Sequence, residues 1–477
     1  MLALDPAVIP DIDAADEVRA TLADRVQEAA RSGSGHSRVE RVSVAVPGSV
    51  RPIDWIRAQA LSETTYWSGR DEVRTVAAVG AASVLSSSSA PIDYEALGED
   101  LGGRLNQAEP SVRYYGGLRF DAAQPSAPDR PDRRWASFGT YRFVLPRFEL
   151  VATDDESLRL ICNLVFPNDE GRGKALGTAI HELALPAPEE RTPLPRPYHR
   201  QDVPDREDWL QMIRWALDAI AGDDLDKVVL ARRVALALRD SMDPLLVLRH
   251  LEAATPGCYH FAVRPADGPA FVGASPERLF RREGRTVVSE AVAGTRPRGD
   301  TEEEDEALRA ELLESPKERR EHSFVEDAIR ASLEDVCTSV RSPNGTGELA
   351  LARGRHLHSR ITGMLRADTT TTDLLATLHP TPAVGGVPTD NAVAAIRAQE
   401  PFDRGWYAGP VGWIGRDAAE FAVGLRAGLV EENQIALFSG AGIVEGSTPE
   451  REWEEIEQKI GDFAAIMGVV DSEPASG

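Results

Sequence analysis

The sequence predicts an α/β protein of the α+β type, built on large antiparallel or mixed sheets. Strand-like runs with period-two alternation fill much of the chain, and proline and glycine punctuate them frequently. Amphipathic helical segments lie between these runs, but the strict strand–helix alternation of a doubly wound parallel sheet is absent. No internal repeat of roughly 20–50 residues is visible. These observations favour a sheet-rich globular protein over a Rossmann fold or a solenoid.

The first element along the chain is a predicted helix. Residues 1–40 are polar and acidic, with helical character over 14–30 and a breaker at 32–35. An alternating run over 42–46 then predicts the first strand. We therefore treat 1–40 as an N-terminal helical or flexible segment that precedes the sheets.

Residues 41–205 predict mostly strands and turns. The runs over 136–145 and 148–153 are the clearest strand candidates. The stretch 186–206, which is rich in proline and charge, is the clearest linker-like change of composition. It predicts a boundary between this part and the rest of the chain.

Residues 206–470 alternate strands with helices. Apolar residues at helical spacing predict a helix over 208–221, and a strand begins at Lys227. A last amphipathic helix is predicted at about 449–467, where Ser447 and Glu450 have the spacing of a capping box.

The composition excludes several classes of function. A net charge of −24 argues against a nucleic-acid binder or a binder of anionic membranes, since both need basic surface. Three widely separated cysteines provide neither a disulfide framework nor a metal-spaced pair. The start of the chain has no signal-peptide pattern, and no apolar run is long enough to span a membrane. The chain is predicted to be cytoplasmic.

Lysine is rare, which makes its positions informative. The only lysines are Lys174, Lys227, Lys317 and Lys459, among 53 lysines and arginines in total. Lys174 and Lys317 lie in polar surroundings and are predicted to be surface charges. Lys227 opens a strand whose next residues are apolar, and desolvation there favours the neutral form needed by a general base. The alternative is a lysine that extends its ammonium to solvent from the strand end.

Two carboxylates and a lysine share one face of the last helix. Glu452, Glu455 and Lys459 fall within about 60° of one another at 100° per residue. This face, near the helix start, could hold a divalent metal or an anionic ligand. The alternative is an ordinary surface pair between Glu455 and Lys459.

The segment before this helix contains Gly440, Gly442 and Gly446, which resemble a backbone cradle for an anion, although a glycine loop is a weak signal by itself. Glu277 follows a buried strand and could keep its proton as a general acid, or could pair with Arg278. Glu321 begins a helical run and by itself is typical of a solvated helix charge. The histidines form no cluster with metal-ligand spacing.

Eight ordered segments lie between about Lys227 and Lys459: KVVLAR, GASPERLF, SEAVAGTRPRG, ERREHSFVEDAI, LHPTPAVGG, EPFDRGWYAG, GLRAGLV and FSGAGIVEGSTPEREWEEIEQK. Taken together, these segments resemble the chorismate-utilising enzymes, a family that includes isochorismate, salicylate, anthranilate and aminodeoxychorismate synthases. YWSGRDE, GGLRFD and YRFVLPR upstream resemble the N-terminal part of the same unit. The resemblance implies a single compact unit of mainly antiparallel sheets flanked by helices, with residues 206–470 as the chorismate-binding catalytic region.

The resemblance also implies roles for individual residues. Lys227 would activate water, and Glu277 would protonate the departing hydroxyl group. Glu321 and Glu455 would hold Mg²⁺, with Glu452 nearby as an outer ligand. The positions implied for substrate binding are Gly294, His356, Ala383, Tyr407, Arg426, Gly440, Gly442 and Lys459.

Two residues distinguish the branches of the family. The amine-using branches typically lack a water-activating lysine at Lys227, and the salicylate and anthranilate synthases typically carry Thr at Ala383. Lys227 therefore favours the water-using branches, isochorismate or salicylate synthase, and Ala383 favours isochorismate synthase between these two. Salicylate synthase and anthranilate synthase component I are the alternatives, and a non-catalytic anion-binding regulatory module is the alternative from another class. The implied partner is the small molecule chorismate, and the chain is expected to be a monomer or homodimer. The residues do not decide between menaquinone and siderophore biosynthesis.

Overall fold

A computed structural model of the protein describes residues 12–31, 38–48, 50–71, 74–123, 132–153, 157–187, 192–342, 345–352 and 354–467. The helices in these ranges are α1 (Ile12–Ala29), α2 (Pro52–Arg57), α3 (Tyr94–Leu105), α4 (Gly173–His181), α5 (Arg206–Ala221), α6 (Pro244–Ala254), α7 (Glu302–Glu314), α8 (Pro316–Val336), α9 (Thr371–Leu378), α10 (Thr389–Gln399) and α11 (Pro449–Ile466).

The strands in the first half of the chain are β1 (Arg38–Val46), β2 (Thr64–Ser68), β3 (Thr75–Ser87), β4 (Tyr114–Leu118), β5 (Tyr141–Ala152), β6 (Leu158–Phe166), β7 (Pro197–Val203) and β8 (Lys227–Leu238). Those that follow are β9 (Tyr259–Arg264), β10 (Ala270–Ser275), β11 (Arg278–Glu283), β12 (Thr286–Pro297), β13 (Cys337–Arg341), β14 (Gly347–Ala350), β15 (Gly354–Leu365), β16 (Gly386–Val387), β17 (Pro410–Ile414), β18 (Ala418–Val423), β19 (Ala427–Glu431) and β20 (Gln434–Ile443).

Strand β5 is the branch point of an antiparallel sheet. One edge of β5 pairs with β3, and the other edge pairs with β4 and then with β6. From β3 a first arm runs through β2, β9, β10, β19 and β20 to β8. From β4 a second arm runs through β17, β18, β11 and β12 to β15. The expectation of large, mainly antiparallel sheets flanked by helices is confirmed.

The chain passes twice from one arm to the other at neighbouring places. The turn between β10 and β11 carries Glu277, and the turn between β18 and β19 carries Arg426. The two turns are hydrogen bonded to each other, since Val423 N donates to Glu277 O at 3.1 Å and Ala274 N donates to Arg426 O at 3.1 Å. Two residues far apart in sequence are thereby held in one place.

The hydrophobic core is continuous from α1 to α11, which confirms the single compact unit. Strands from the N-terminal half pair directly with strands of the C-terminal half, as β2 does with β9 and β4 with β17. The two halves therefore complete one sheet system.

Local sequence patterns predicted several elements well. The predicted helices over 14–30, 208–221 and 449–467 are α1, α5 and α11, and the breaker at 32–35 lies outside the described residues. The strand predicted from residue 136 was wrong at its start, because Arg133–Phe138 form a 3₁₀ helix before β5.

Two further predictions, one about the stretch 186–206 and one about the start of α11, also differ from the structure. The proline-rich stretch 186–206 contains β7, an edge strand that pairs with β8, so it is more than a linker. The capping box predicted at the start of α11 is wrong. The N-cap is Thr448, without a side-chain cap, and the Ser447 hydroxyl accepts from Val444 N instead.

Candidate active site

A cavity lies between the two arms of the sheet. Its empty volume is about 980 Å³, with the open mouth included. Strands β8 and β20 line it from the first arm, β12 and β15 from the second, and α11 closes one side. The sequence-predicted residues that line it are Glu277, Gly294, Glu321, His356, Ala383, Tyr407, Arg426, Gly440, Gly442, Glu455 and Lys459. Lys227 and Glu452 lie immediately behind this wall.

Lys227 is the first residue of β8, and its side chain is fully buried. Its Nζ lies 3.0 Å from Glu321 Oε1, although the contact lacks hydrogen-bond geometry. The lysine thus does not extend to solvent, and that alternative is wrong. Gly442 of β20 makes room for this pair, because a Cβ there would lie 3.2 Å from Lys227 Cε and would overlap the Glu321 carboxylate.

Glu277 is a buried carboxyl group that lines the cavity. Burial raises the pKa of Glu277 to about 8. The negative charge of Glu290 adds to this shift, while Lys227 and Lys459 oppose it. The group therefore holds its proton at neutral pH, as a general acid must. The alternative pairing with Arg278 is wrong, because that guanidinium bonds to Glu290 at 2.6 Å.

Arg426 and His356 form a cationic corner of the cavity. Arg426 Nη2 donates to His356 Nε2 at 3.1 Å, and His356 Nδ1 donates to Gly294 O at 3.0 Å. Burial, with the charge of Arg426, lowers the pKa of His356 to about 3, so the ring stays neutral and accepts from the guanidinium. Arg426 has φ of 45°, a conformation that costs about 1–3 kcal/mol for a residue other than glycine. Strain of this kind is common where a side chain is aimed at a ligand.

Lys459 projects from α11 into the cavity. Its Nζ donates to Gly440 O at 3.0 Å and to Glu455 Oε1 at 2.7 Å. Burial alone would lower the pKa of Lys459, but Glu455 and Glu321 reverse this and the pKa is raised. The lysine therefore remains a cation that can bind a carboxylate. The predicted pair with Glu455 is present, but it lines the cavity and is not an ordinary surface pair.

Two pairs of carboxylates lie beside the cavity, Glu318 with Glu321 on α8 and Glu452 with Glu455 on α11. Burial and the neighbouring Glu455 raise the pKa of Glu452, and burial and the neighbouring Glu321 raise that of Glu318. Glu452 Oε2 is buried and has no hydrogen-bond partner among the residues that the structure describes. Crowded carboxylates with an unsatisfied oxygen suit a hard divalent cation, which prefers oxygen ligands.

Three of these carboxylates each lie against a lysine: Glu321 against Lys227, Glu455 against Lys459, and Glu452 against Lys317. Lys317 Nζ donates to Glu452 Oε1 at 3.0 Å, so this lysine, predicted as a surface charge and 32% exposed, also holds a buried carboxylate. Lys174 is exposed as predicted, at the start of α4.

In the described ranges, no three or more His, Cys, Asp and Glu side chains are already grouped closely enough to hold a metal ion.

Among the charged residues that line the cavity, only Arg404 was not predicted from the sequence. It forms a buried ion pair with Glu400 and donates to Val384 O at 2.9 Å and Val229 O at 2.7 Å. Arg404 thus joins the backbone beside Ala383 to the strand that begins with Lys227. It lies in the quoted segment EPFDRGWYAG, where Glu and Arg four residues apart were the available signal.

Tyr407 and Gly440 complete the wall on this side. The Tyr407 ring stacks on Phe438 with centroids 5.2 Å apart, and burial raises the pKa of its hydroxyl group. A Cβ at Gly440 would lie 3.2 Å from Tyr407 Oη, so the glycine lets this ring approach the strand.

The sequence and the fold are both similar to those of known chorismate-binding enzymes. The profile of the family described as "Chorismate binding enzyme" matches residues 24–468. The chain is 32% identical to the chloroplastic isochorismate synthase of Catharanthus roseus, over 91% of this chain and 82% of that protein. It is 35% identical to the isochorismate synthase MenF of Bacillus subtilis, over 74% of each protein.

The fold is similar to the solved structure of MenF, the menaquinone-specific isochorismate synthase of Escherichia coli. The TM-score is 0.80 at 26% identity, covering 94% of this chain and 99% of the other. No helix in the described part of the chain has the length and apolar content needed to cross a membrane.

Proposed function

Because the chain belongs to the family of chorismate-binding enzymes, we propose that it converts chorismate to isochorismate. The observation that carries the proposal is a proton-holding carboxyl group that lines the cavity, Glu277, with a buried lysine, Lys227, directly behind the cavity wall. Relatives that bear the name isochorismate synthase, at 32% and 35% identity, support the same assignment.

The reaction adds water at C2 of the ring and expels the hydroxyl group from C4. Lys227 takes a proton from the attacking water, and Glu277 gives its proton to the departing hydroxyl group, which leaves as water. One water molecule enters and one leaves, so the substrate is isomerised. Each proton transfer of this kind contributes about 10²- to 10⁴-fold to the rate.

Chorismate is an anion, whereas the protein carries a net charge of −24. Binding therefore requires local positive charge, which Arg426 and Lys459 supply in the cavity. The backbone around Gly294, Gly440 and Gly442 would receive the carboxylate groups. Ala383 leaves this wall without the hydroxyl group of the Thr expected in the lyase branch, and this favours release of isochorismate without loss of pyruvate.

We propose Mg²⁺ as the cofactor, held by Glu321 and Glu455 with Glu452 as an outer ligand. The crowding of these carboxylates and the unsatisfied oxygen of Glu452 support this assignment. A bound divalent cation would neutralise the substrate carboxylate next to the acidic side chains. Gly442 leaves the space in which the Glu321 carboxylate lies.

The proposed location is the cytoplasm, which the buried thiols Cys162 and Cys337, neither of them in a disulfide bond, support. A monomeric or homodimeric state, without nucleic-acid or membrane partners, stays a prediction.

Incubation of the purified protein with chorismate and Mg²⁺, followed by chromatography of the products, tests the proposal. Isochorismate is the expected product. Salicylate with pyruvate would place the chain in the lyase branch, and anthranilate formed with ammonia would place it in the amine branch. Saturable binding of chorismate without turnover would indicate the non-catalytic alternative.

A further inference from the structure

Glu290 of β12 is the centre of a buried ionic network next to the cavity. It is 3% exposed and bonds to two arginines, Arg70 and Arg278. Burial alone would raise the pKa of Glu290, but His358 and the two arginines together lower it to about 2. The carboxylate is therefore ionised throughout the physiological range. None of these residues lines the proposed active site.

Arg70 reaches this network from the N-terminal half of the chain, just after β2. Its Nη2 donates to both oxygens of Glu290, at 2.7 and 2.8 Å. Its Nη1 donates to Pro276 O at 2.7 Å. One guanidinium thus joins the Glu290 carboxylate to the residue that precedes Glu277.

The residue that follows Glu277 is fixed to the same carboxylate. Arg278 Nη1 donates to Glu290 Oε1 at 2.6 Å, and its Nη2 bonds to Asp71 and, at 3.3 Å, to Glu420. The backbone on both sides of Glu277 is consequently anchored to Glu290. Such an arrangement restricts where the carboxyl group of Glu277 can lie.

From this geometry we infer that Arg70 and Glu290 are positioning residues for the general acid Glu277. The inference rests on the proposed function, in which Glu277 protonates the departing hydroxyl group. It also assigns a role to the segment YWSGRDE, because Arg70 belongs to it. The N-terminal half then completes the acid side of the site, although the proposed base and metal ligands all lie beyond residue 226.

Glu290 acts on Glu277 through charge as well as through position. The ionisable groups that face Glu277 are Lys227 of β8, Glu290 of β12, Tyr407 and Lys459 of α11. Lys459, and Lys227 while it carries its proton, favour the ionised form of Glu277, whereas Glu290 favours its protonated form. Loss of the Glu290 charge should therefore lower the pKa of Glu277. Since the acid works only when protonated, the fall of kcat at alkaline pH should move to lower pH.

The test compares Arg70→Gln, Arg70→Lys and Glu290→Gln with the unaltered enzyme. Rates are measured as chorismate consumption with Mg²⁺ across a range of pH. Arg70→Gln should lower kcat about 10- to 100-fold, since misplacement of a catalytic group by about 1 Å costs about 10²-fold. KM for chorismate should change less than about twofold, because Arg426 and Lys459 are untouched. Arg70→Lys should recover part of kcat, since it keeps the charge.

Glu290→Gln should move the alkaline fall of kcat to lower pH, a change that a general loss of packing would not produce. Arg281→Gln is the matched control: it removes an arginine from the same strand as Arg278, where it pairs with Glu283. That variant should keep the kcat and pH profile of the unaltered enzyme. Thermal unfolding identifies any variant that fails to fold, and the milder Arg70→Lys then carries the comparison.

Several results would overturn the inference. One is that Arg70→Gln leaves kcat unchanged or alters only KM. Another is that the fall of kcat at alkaline pH occurs in Glu290→Gln at the same pH as in the unaltered enzyme. A folded Arg70→Lys with no more activity than Arg70→Gln would also count against it. The proposed function fails separately, if the unaltered enzyme yields a product other than isochorismate. Consumption of chorismate is followed whatever the product, so the two failures are distinguishable.

Discussion

Replacement of Gly442 by alanine is a sharp test of the space behind the cavity wall. The added methyl group would lie 3.2 Å from both Glu321 Cδ and Lys227 Cε, and it would overlap Glu321 Oε1. Carbon atoms in favourable contact are about 3.5–4.0 Å apart. The carbon contacts alone require a retreat of roughly 0.3–0.8 Å. The nearer Glu321 Oε1 requires more, and Lys227 must shift as well.

The consequence should be larger for activity than for stability. Overpacking of this size typically costs about 1–3 kcal/mol, whereas displacement of a catalytic group by about 1 Å costs about 10²-fold in rate. We expect Gly442→Ala to remain folded, to lose about 10- to 100-fold in kcat, and to need more Mg²⁺ for half-maximal activity. Gly461→Ala is the matched control, since no atom lies within 4 Å of a Cβ at that position on α11.

The assay is a Mg²⁺ titration of chorismate consumption, with thermal unfolding measured in parallel. If Gly442→Ala retained the kcat and Mg²⁺ dependence of the unaltered enzyme, the proposed places of Glu321 and Lys227 would be refuted. An equal loss in Gly461→Ala would show that any added methyl group is harmful.

Three further predictions concern single side chains. Lys227→Ala and Lys227→Arg should both lose turnover while chorismate still binds, because arginine cannot give up its proton; binding and product formation are measured separately, and an active arginine variant would exclude Lys227 as the base. Glu277→Gln should reduce kcat about 10²- to 10⁴-fold. It should also remove the fall of kcat as pH rises through about 8, the pKa of Glu277, and persistence of that fall would assign it to another group. Arg404→Lys should lower the melting temperature and kcat together, since lysine cannot hold Glu400, Val384 O and Val229 O at once; a stable, fully active variant would contradict this role.

The sequence allowed elements with local periodicity to be predicted, and it failed where long-range contacts decide. Helix α11 and the strand from Lys227 follow from spacing and from the apolar residues that come next. Lys317 was assigned to the surface because its neighbours in sequence are polar. In the fold it lies against Glu452, 135 positions away, and the pairing depends on how α8 packs beside α11.

The same limit applies to the acid side of the site. Glu277 could be proposed from its place after a buried strand, and the family resemblance added its role. Arg70 could not be linked to it, because the contact with Glu290 joins residues 220 positions apart through the pairing of β2 with β9. Antiparallel sheets are built from such non-local contacts, and a one-dimensional pattern carries little information about them.

The decisive measurement is the identity of the product that the purified protein forms from chorismate in the presence of Mg²⁺. We expect isochorismate, with its formation abolished in Lys227→Ala and slowed about 10²- to 10⁴-fold in Glu277→Gln, while both variants still bind chorismate. Formation of salicylate and pyruvate would contradict isochorismate as the released product, and formation of anthranilate with ammonia would contradict water addition at C2.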